Sequence, residues 1–539
     1  MQPDDRNLSQ SLIVLRWVVN MTHYNRWNLL AAGFLLAAGS LMSQAYGQFV
    51  PSPRPSVPTS VPAQSAIEHL PPLSDVVDDL EGLRREVQEL RNQLQEKETK
   101  EYGFVSVVDP KSSAVPAKEP TAEEKQADFN KQFDKARLGR YPNITINGVF
   151  QADAGFFDQD AVNRATVGNA VDGADFRRAR LSAKGAVTET VNYFMQMDFA
   201  FFGRPTFTDV WLEHADVPGL GSFRVGQWKQ PFSLEVVSSF RYTTFMERSL
   251  LFQPFTPFRH LGAGFYNHSE DLRWTWAASG FRSGQDQFGN SASNGGGWGT
   301  AERITWLPWY DEASEGRGYL HFGLGHFFSV PPDRINNFRT IPELFIGQQN
   351  SVPNGNQQPV PGNVSGTPFF LQTGNLAINE FNVIGVETLF VHGPFSWQSE
   401  GMLTLVDRVA GPTATLPGFY SQVGWFLTGE HRPYDRNSGA IDRVIPFENF
   451  FCVRTEDGRP CTGMGAWEVA FRASYLDFSA VDNVVAGTGG HMFDTTAGIN
   501  WYWNPYTKFV ANWVHTFLDN PLTGRSEADG FAVRGQIDF

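Results

Sequence analysis

The chain ends in Phe531-Ala532-Val533-Arg534-Gly535-Gln536-Ile537-Asp538-Phe539. Phe531, Val533, Gly535, Ile537 and Phe539 fall on one side of an extended chain, and Ala532, Arg534, Gln536 and Asp538 on the other. That is the period-two pattern of a strand with one apolar and one polar face. It recurs upstream. In 191–201, Val191, Tyr193, Met195, Met197, Phe199 and Phe201 oppose Asn192, Gln196 and Asp198; in 467–475, Trp467, Val469, Phe471, Ala473 and Tyr475 oppose Glu468, Arg472 and Ser474. A soluble β-sandwich has the same period, so periodicity does not choose between the two. The aromatic load does. Trp501 and Trp503 stand just before Asn504-Pro505, a strand end at which a membrane barrel carries its interfacial girdle.

Composition agrees. Of 539 residues only 19% are charged and 14% are Phe, Trp or Tyr, against roughly 25% charged in an ordinary globular chain. The longest apolar run, Leu29 to Ala38, is far short of the ~20 residues of a helical span, so any membrane contact must be made by strands. The net charge of −14 advertises no nucleic-acid partner. Cys452 and Cys461 lie close together in a loop-like stretch, which favours a disulfide of an oxidising compartment over a metal site.

The N-terminal part divides into four. Residues 1–47 read as an export signal: His23 and Arg26, an apolar run from Trp27 to Met42, and Ala45-Tyr46-Gly47 ahead of a cleavage point before Gln48, with Met21 as a possible start. Residues 48–72 are a proline-rich linker. In 73–97, Leu73, Val76, Leu80, Leu83, Val87, Leu90 and Leu94 alternate by three and four, the seam of a short coiled coil that we expect to self-associate; a lone amphipathic helix is the alternative. Residues 98–140 form a charged linker. The rest, 141–539, is expected to be an all-β, antiparallel transmembrane barrel.

Sixteen segments of this domain read as strands, near 143–153, 175–187, 191–201, 207–214, 222–228, 262–268, 271–281, 300–308, 317–328, 379–391, 394–407, 417–428, 464–477, 491–503, 507–517 and 529–539. Bacterial barrels have even strand numbers, short periplasmic turns and longer outer loops. Residues 429–463 break that rule. They are long, yet the count puts them at the periplasmic end, so either that turn is elaborated or a strand there is mis-paired.

Basic charge is concentrated between Phe176 and His260, with ten Lys or Arg against seven Asp or Glu. Arg178, Arg180, Ser182 and Lys184 share one face of a strand whose other face is small and apolar. If that apolar face meets lipid, the cations line the lumen, since Arg or Lys on the lipid face costs roughly 2–4 kcal/mol near the midplane. The third outer connection, Lys229 to Leu261, carries Phe232, Phe240, Phe245, Phe252, Phe255 and Phe258, too apolar for a tip in water. It is expected to fold against the inner wall and narrow a pore. Its Arg241, Arg248 and Arg259, with the hydroxyls of Ser238 and Ser239, could replace part of an anion's hydration shell; equally, the arginines could pair with wall carboxylates to hold the loop.

Asp175-Phe176-Arg177-Arg178-Ala179-Arg180-Leu181, Val225-Gly226-Gln227-Trp228-Lys229-Gln230-Pro231-Phe232-Ser233-Leu234-Glu235, Ser238-Ser239 and Thr244-Phe245-Met246-Glu247-Arg248-Ser249-Leu250 resemble the phosphate-selective porin O and P family. Trp425 to Glu430, Gly465 to Ala470 and Gly498 to Tyr502 extend the resemblance across 141–539. It implies a trimeric, sixteen-stranded outer-membrane channel with an inward third loop, an arginine ladder and a central phosphate site. By position, Arg177 and Arg178 match the family's paired arginines, Asp209 its wall aspartate, Ser238 and Ser239 its loop serines, and Arg248 its loop arginine. Members selective for phosphate carry a lysine just ahead of the serines. Here the residues are Glu235-Val236-Val237, and a carboxylate at the neck is expected to oppose a multiply charged anion.

The expected function is thus a passive outer-membrane channel for phosphate or other small anions. Its expected partners are outer-membrane lipid, two further copies of the chain, small anionic solutes, and the barrel-assembly machinery through the terminal Phe539. Two alternatives are a general porin and an anchor whose coiled-coil stalk reaches into the periplasm. An enzyme is not expected, nor any cofactor: no nucleophile elbow, HExxH or phosphate-cradling glycine loop occurs, and His321 and His326 fall on different faces of one strand.

Overall fold

The computed structural model describes residues 140–200, 205–284, 296–347, 366–454, 460–481 and 488–539. The export signal, both linkers and the coiled coil lie outside the described residues. No described helix is long and apolar enough to cross a membrane; the long elements are strands.

Sixteen of them close into one antiparallel barrel. In chain order they are β1 (Thr145–Gln159), β2 (Gly173–Ala186), β3 (Val191–Asp198), β4 (Thr206–Val217), β5 (Gly221–Lys229), β6 (Arg259–His268), β7 (Trp274–Phe281), β8 (Trp298–Tyr310), β9 (Gly318–Val330), β10 (Leu376–His392), β11 (Phe395–Arg408), β12 (Ala414–Phe426), β13 (Ala466–Asp477), β14 (His491–Asn504), β15 (Thr507–Asn520) and β16 (Gly524–Asp538). Each pairs with its sequence neighbour. The seam joins β16 to β1, from Val149 opposite Asp538 to Gln159 opposite Ala528, so no edge is left with unpaired backbone groups.

The burial is that of a soluble protein turned inside out. On the last strand Ala532, Arg534, Gln536 and Asp538 are buried, while Phe531, Val533 and Ile537 are exposed. Around the barrel Gln151, Glu400, Glu468, Arg472, Asp494, Asn500 and Asn512 face inward and are buried, whereas Leu212, Val386, Ile499 and Trp513 face outward. Lipid replaces water as the solvent of the outer face.

Residues 427–465 join β12 to β13, which pair directly, Gly418 opposite Leu476 through Phe426 opposite Glu468. The strands there are correctly paired and the connection is an elaborated turn. It lies at the same end as the short turns 187–190, 218–220, 393–394 and 505–506, the periplasmic end by the usual asymmetry. A small ladder in it sets Cys452 opposite Thr462 and Cys461 opposite Val453; the side chains of both cysteines lie outside the described residues.

Candidate functional site: the lining of the barrel

Two bulges aim the basic wall. Gln151 of β1 pairs with Arg178 of β2, but Ala152 pairs with Phe176, so Arg177 is the extra residue. A strict alternation would send Arg177 and Arg178 to opposite faces. The bulge lets both face inward, the re-aiming that bulges perform. A second bulge sets Met195 against Val210 and Met197 against Phe207, and it turns Asp209 inward beside the buried Thr208. The carbonyls of Phe207 and Thr208, freed from the ladder, accept from Gln227 Nε2 at 2.7 and 2.8 Å. Gln227 of the Val-Gly-Gln-Trp-Lys stretch therefore supports Asp209 from the neighbouring strand.

The third outer connection, 230–258, lies inside the barrel, and named contacts hold it there. Gly325 and Gly385 face each other on β9 and β10, and a Cβ on either would come within 2.9 Å of the Phe232 ring; the glycine pair is the slot that Phe232 fills. A short helix, α1 (Leu234–Val237), follows. Glu400 of β11 accepts the backbone N–H groups of Leu234 and Glu235 at its start, at 3.1 and 2.9 Å. At its end Lys229 Nζ donates to the carbonyls of Val236, Val237 and Ser238 at 2.7, 3.1 and 2.7 Å. Farther on, Asn500 and Lys508 donate to the carbonyls of Thr244 and Thr243 at 2.8 and 3.0 Å. The backbone polar groups of an irregular segment at membrane depth must find partners in the protein, and the wall supplies them.

Most of the candidate arginines are paired. Arg177 Nε sits 2.8 Å from Glu247, Arg180 Nε 2.7 Å from Asp198, Arg259 2.7 Å from Asp209 and Arg241 3.3 Å from Asp538. Arg248 instead donates to the carbonyl of Glu235 at 2.9 Å. Arg178 donates to Gln151 at 2.7 Å and has no carboxylate in salt-bridge reach among the described residues. Ser238 Oγ accepts from Ile441 N–H at 3.0 Å, Ser239 Oγ from Arg241 N–H at 3.4 Å. Lys184 stands apart, exposed near the periplasmic end opposite Thr145 and Phe194. The guanidinium faces are covered as well: Arg178 and Arg180 lie 4.7 and 4.5 Å from the Phe240 ring centroid, and Arg177 lies 4.7 Å from that of Phe345.

Glu235 is buried. Its carboxylate is turned to the wall, where it accepts from Ser249 N–H at 3.1 Å and Ser249 Oγ at 2.8 Å and meets Arg472 at 3.3 Å. A buried carboxylate needs such partners, and β13 provides the cation. Arg472 also binds Glu343 of the 331–375 connection at 2.6 Å, joining two inward segments to one strand.

Several lining residues were not singled out from the sequence. Arg534 of β16 meets Asp153 of β1 at 2.6 Å and Glu247 at 2.9 Å. Part of the elaborated turn also enters the lumen: Arg303 of β8 donates to the carbonyl of Gly439 at 2.8 Å, His321 of β9 meets the Tyr434 hydroxyl at 2.7 Å, and Arg432 pairs with Glu468. Its only signal in the sequence was excess length at the short-turn end. Among the described residues no cluster of His, Cys, Asp and Glu could hold a metal ion.

A closed sixteen-stranded barrel with a polar, charge-paired lining and an apolar outer wall is the build of an outer-membrane porin. Residues 144–539 match the family described as "Phosphate-selective porin O and P", and the chain belongs to that family. It is 26% identical over 421 residues to Porin O of Pseudomonas aeruginosa, covering 74% of this chain and 88% of that one. Among solved structures, an anion-selective porin from Comamonas acidovorans matches with a TM-score of 0.43 at 11% identity, over 73% of this chain and 99% of that one. The outer-membrane channel DcaP of Acinetobacter baumannii matches at 0.42 and 12%, over 74% and 97%.

Proposed function

We propose that this porin passes phosphate or other small anions down their gradient, that the 230–258 segment narrows its pore, and that it works as a homotrimer. One observation carries the solute reading. Arg178 Nε and Arg180 Nη1 are buried without a hydrogen-bond partner among the described residues, and both guanidinium groups stack on Phe240. Those two nitrogens are closed off from a passing solute, but the Arg178 guanidinium, held by Gln151, has no carboxylate in salt-bridge reach among the described residues, and an uncompensated positive charge beside a narrow lumen attracts anions. Arg177, Arg180, Arg241 and Arg259 are paired with carboxylates, which limits their contribution to the field, so we assign the larger share of selectivity to Arg178. The family's description names the solute class, and the basic wall supports that reading.

The test is planar-bilayer recording. Reversal potentials in a salt gradient should favour anions, and Arg178→Ala with Arg180→Ala should lower the anion-to-cation permeability ratio several-fold. Cation preference in the unaltered protein would overturn the proposal, and an unchanged ratio in the double variant would make these arginines purely structural.

A further inference from the structure

After leaving the lumen, the elaborated turn passes to the outer side of the barrel. Phe450 N–H donates to the carbonyl of Trp503 at 2.6 Å, and the Phe450 ring packs edge-on against Trp501 at 4.6 Å and beside Trp503 at 4.9 Å. These tryptophans belong to the outward row at the periplasmic ends of β13 to β15, where Trp467, Trp501 and Phe509 stand side by side in register. Trp501 Nε1 in turn donates to the carbonyl of Met464 at 2.9 Å. Leu427 N–H donates to the carbonyl of Trp467 at 2.7 Å, and Phe447 N–H is held by Glu430 at 3.0 Å.

Around this contact the turn leaves large apolar side chains uncovered. Leu427, Ile445, Phe447, Phe451 and Met464 are each 62–66% exposed. Isolated apolar residues on a surface mean little, but a contiguous apolar patch marks an interaction site. Phe451 adjoins Phe450 at 6.1 Å and through it the Trp501 ring, which ties these residues to the aromatic girdle, the row at which a barrel meets the headgroup region. A cation sits where a phosphate headgroup would need one: the Arg317 guanidinium lies 5.4 Å from the Phe447 ring centroid and donates to the carbonyl of Gly429 at 2.8 Å.

We infer that Leu427, Ile445, Phe447, Phe451 and Met464 form a foot that rests in the periplasmic leaflet, their side chains at the boundary between headgroups and acyl chains and Arg317 toward lipid phosphate. The occupant of the patch is phospholipid. The inference needs only the outer-membrane placement of the barrel and stands whatever solute the pore passes.

Site-directed spin labelling of the full chain tests it. In a Cys452→Ser, Cys461→Ser background, single cysteines are introduced as Ile445→Cys, Phe447→Cys and Met464→Cys, with Leu522→Cys in the outer connection before β16 as the aqueous control. Each protein is reconstituted in phosphatidylethanolamine–phosphatidylglycerol vesicles, and unaltered single-channel conductance verifies its fold. The three foot positions should relax more with oxygen, which concentrates in lipid, than with a water-soluble nickel chelate, and Leu522 should show the reverse. Nickel dominance at the foot would put it in water and overturn the inference. Low accessibility to both reagents would mean that protein covers the patch, a neighbouring subunit or the chain's own N-terminal part, and would overturn it equally.

Discussion

Glu235 shows how a single position can mislead when it is read without its surroundings. In the sequence it is a negative charge where phosphate-selective relatives have a lysine; in the fold it is a buried anchor between Ser249 and Arg472. Converting it to the family residue is therefore expected to do harm. Glu235→Lys would set an ammonium against Arg472, and breaking a buried pair costs about 3–5 kcal/mol. We expect a lower unfolding temperature in detergent and no gain in phosphate affinity; a variant as stable as the parent that binds phosphate more tightly would show that the carboxylate does face the pore. Arg177 and Asp209 teach the complementary lesson. Their residue types marked them from the sequence, but their inward aim comes from bulges that no glycine or proline announces, and a bulge is invisible to a period-two count.

At the scale of elements, strands were legible and the segments that fill the barrel were not. Each of the sixteen strands overlaps the segment that alternation had marked, because lipid on one side and a polar lining on the other enforce the period along every strand. The 230–258 segment betrayed itself by its phenylalanines. The inner part of 427–465 had no such mark: backbone satisfied by Arg303 and Tyr319 of the wall needs neither periodicity nor apolar bulk. Arg472 is the bolt that fastens two of these fillers, through Glu235 and Glu343. Arg472→Met should enlarge the single-channel current and weaken selectivity while strand content by circular dichroism stays the same; an unaltered current would mean that neither segment limits the pore. Acid tests the docking differently. Burial alone would push the Glu247 carboxyl up, but Arg177, Arg178 and Arg534 hold it well below the ordinary carboxylate range. A depressed pKa stabilises the fold fully above the ordinary glutamate value, about 4.3, and that contribution is lost only as the pH falls through the depressed value. Channel current should thus be steady from about pH 8 to pH 5 with respect to this group. A step near pH 6 abolished by Glu247→Gln would contradict the assignment.

For the whole molecule, the heptads of 73–97 predict a periplasmic stalk separate from the conducting domain. Deleting 73–97 should leave single-channel conductance intact and weaken association of the stalk region, as measured by cross-linking between copies in detergent; collapse of the current would mean that the stalk supports the barrel itself. The seam carries a consequence for biogenesis. Arg534 on the last strand binds Asp153 on the first and Glu247 on the inward segment at once, so its full set of contacts requires both the closed seam and the docked segment. A chain that zipped shut with 230–258 still outside would leave Arg534 with Asp153 alone, without Glu247 and the Met246 carbonyl. The seam and the docking of 230–258 thus meet at one guanidinium group.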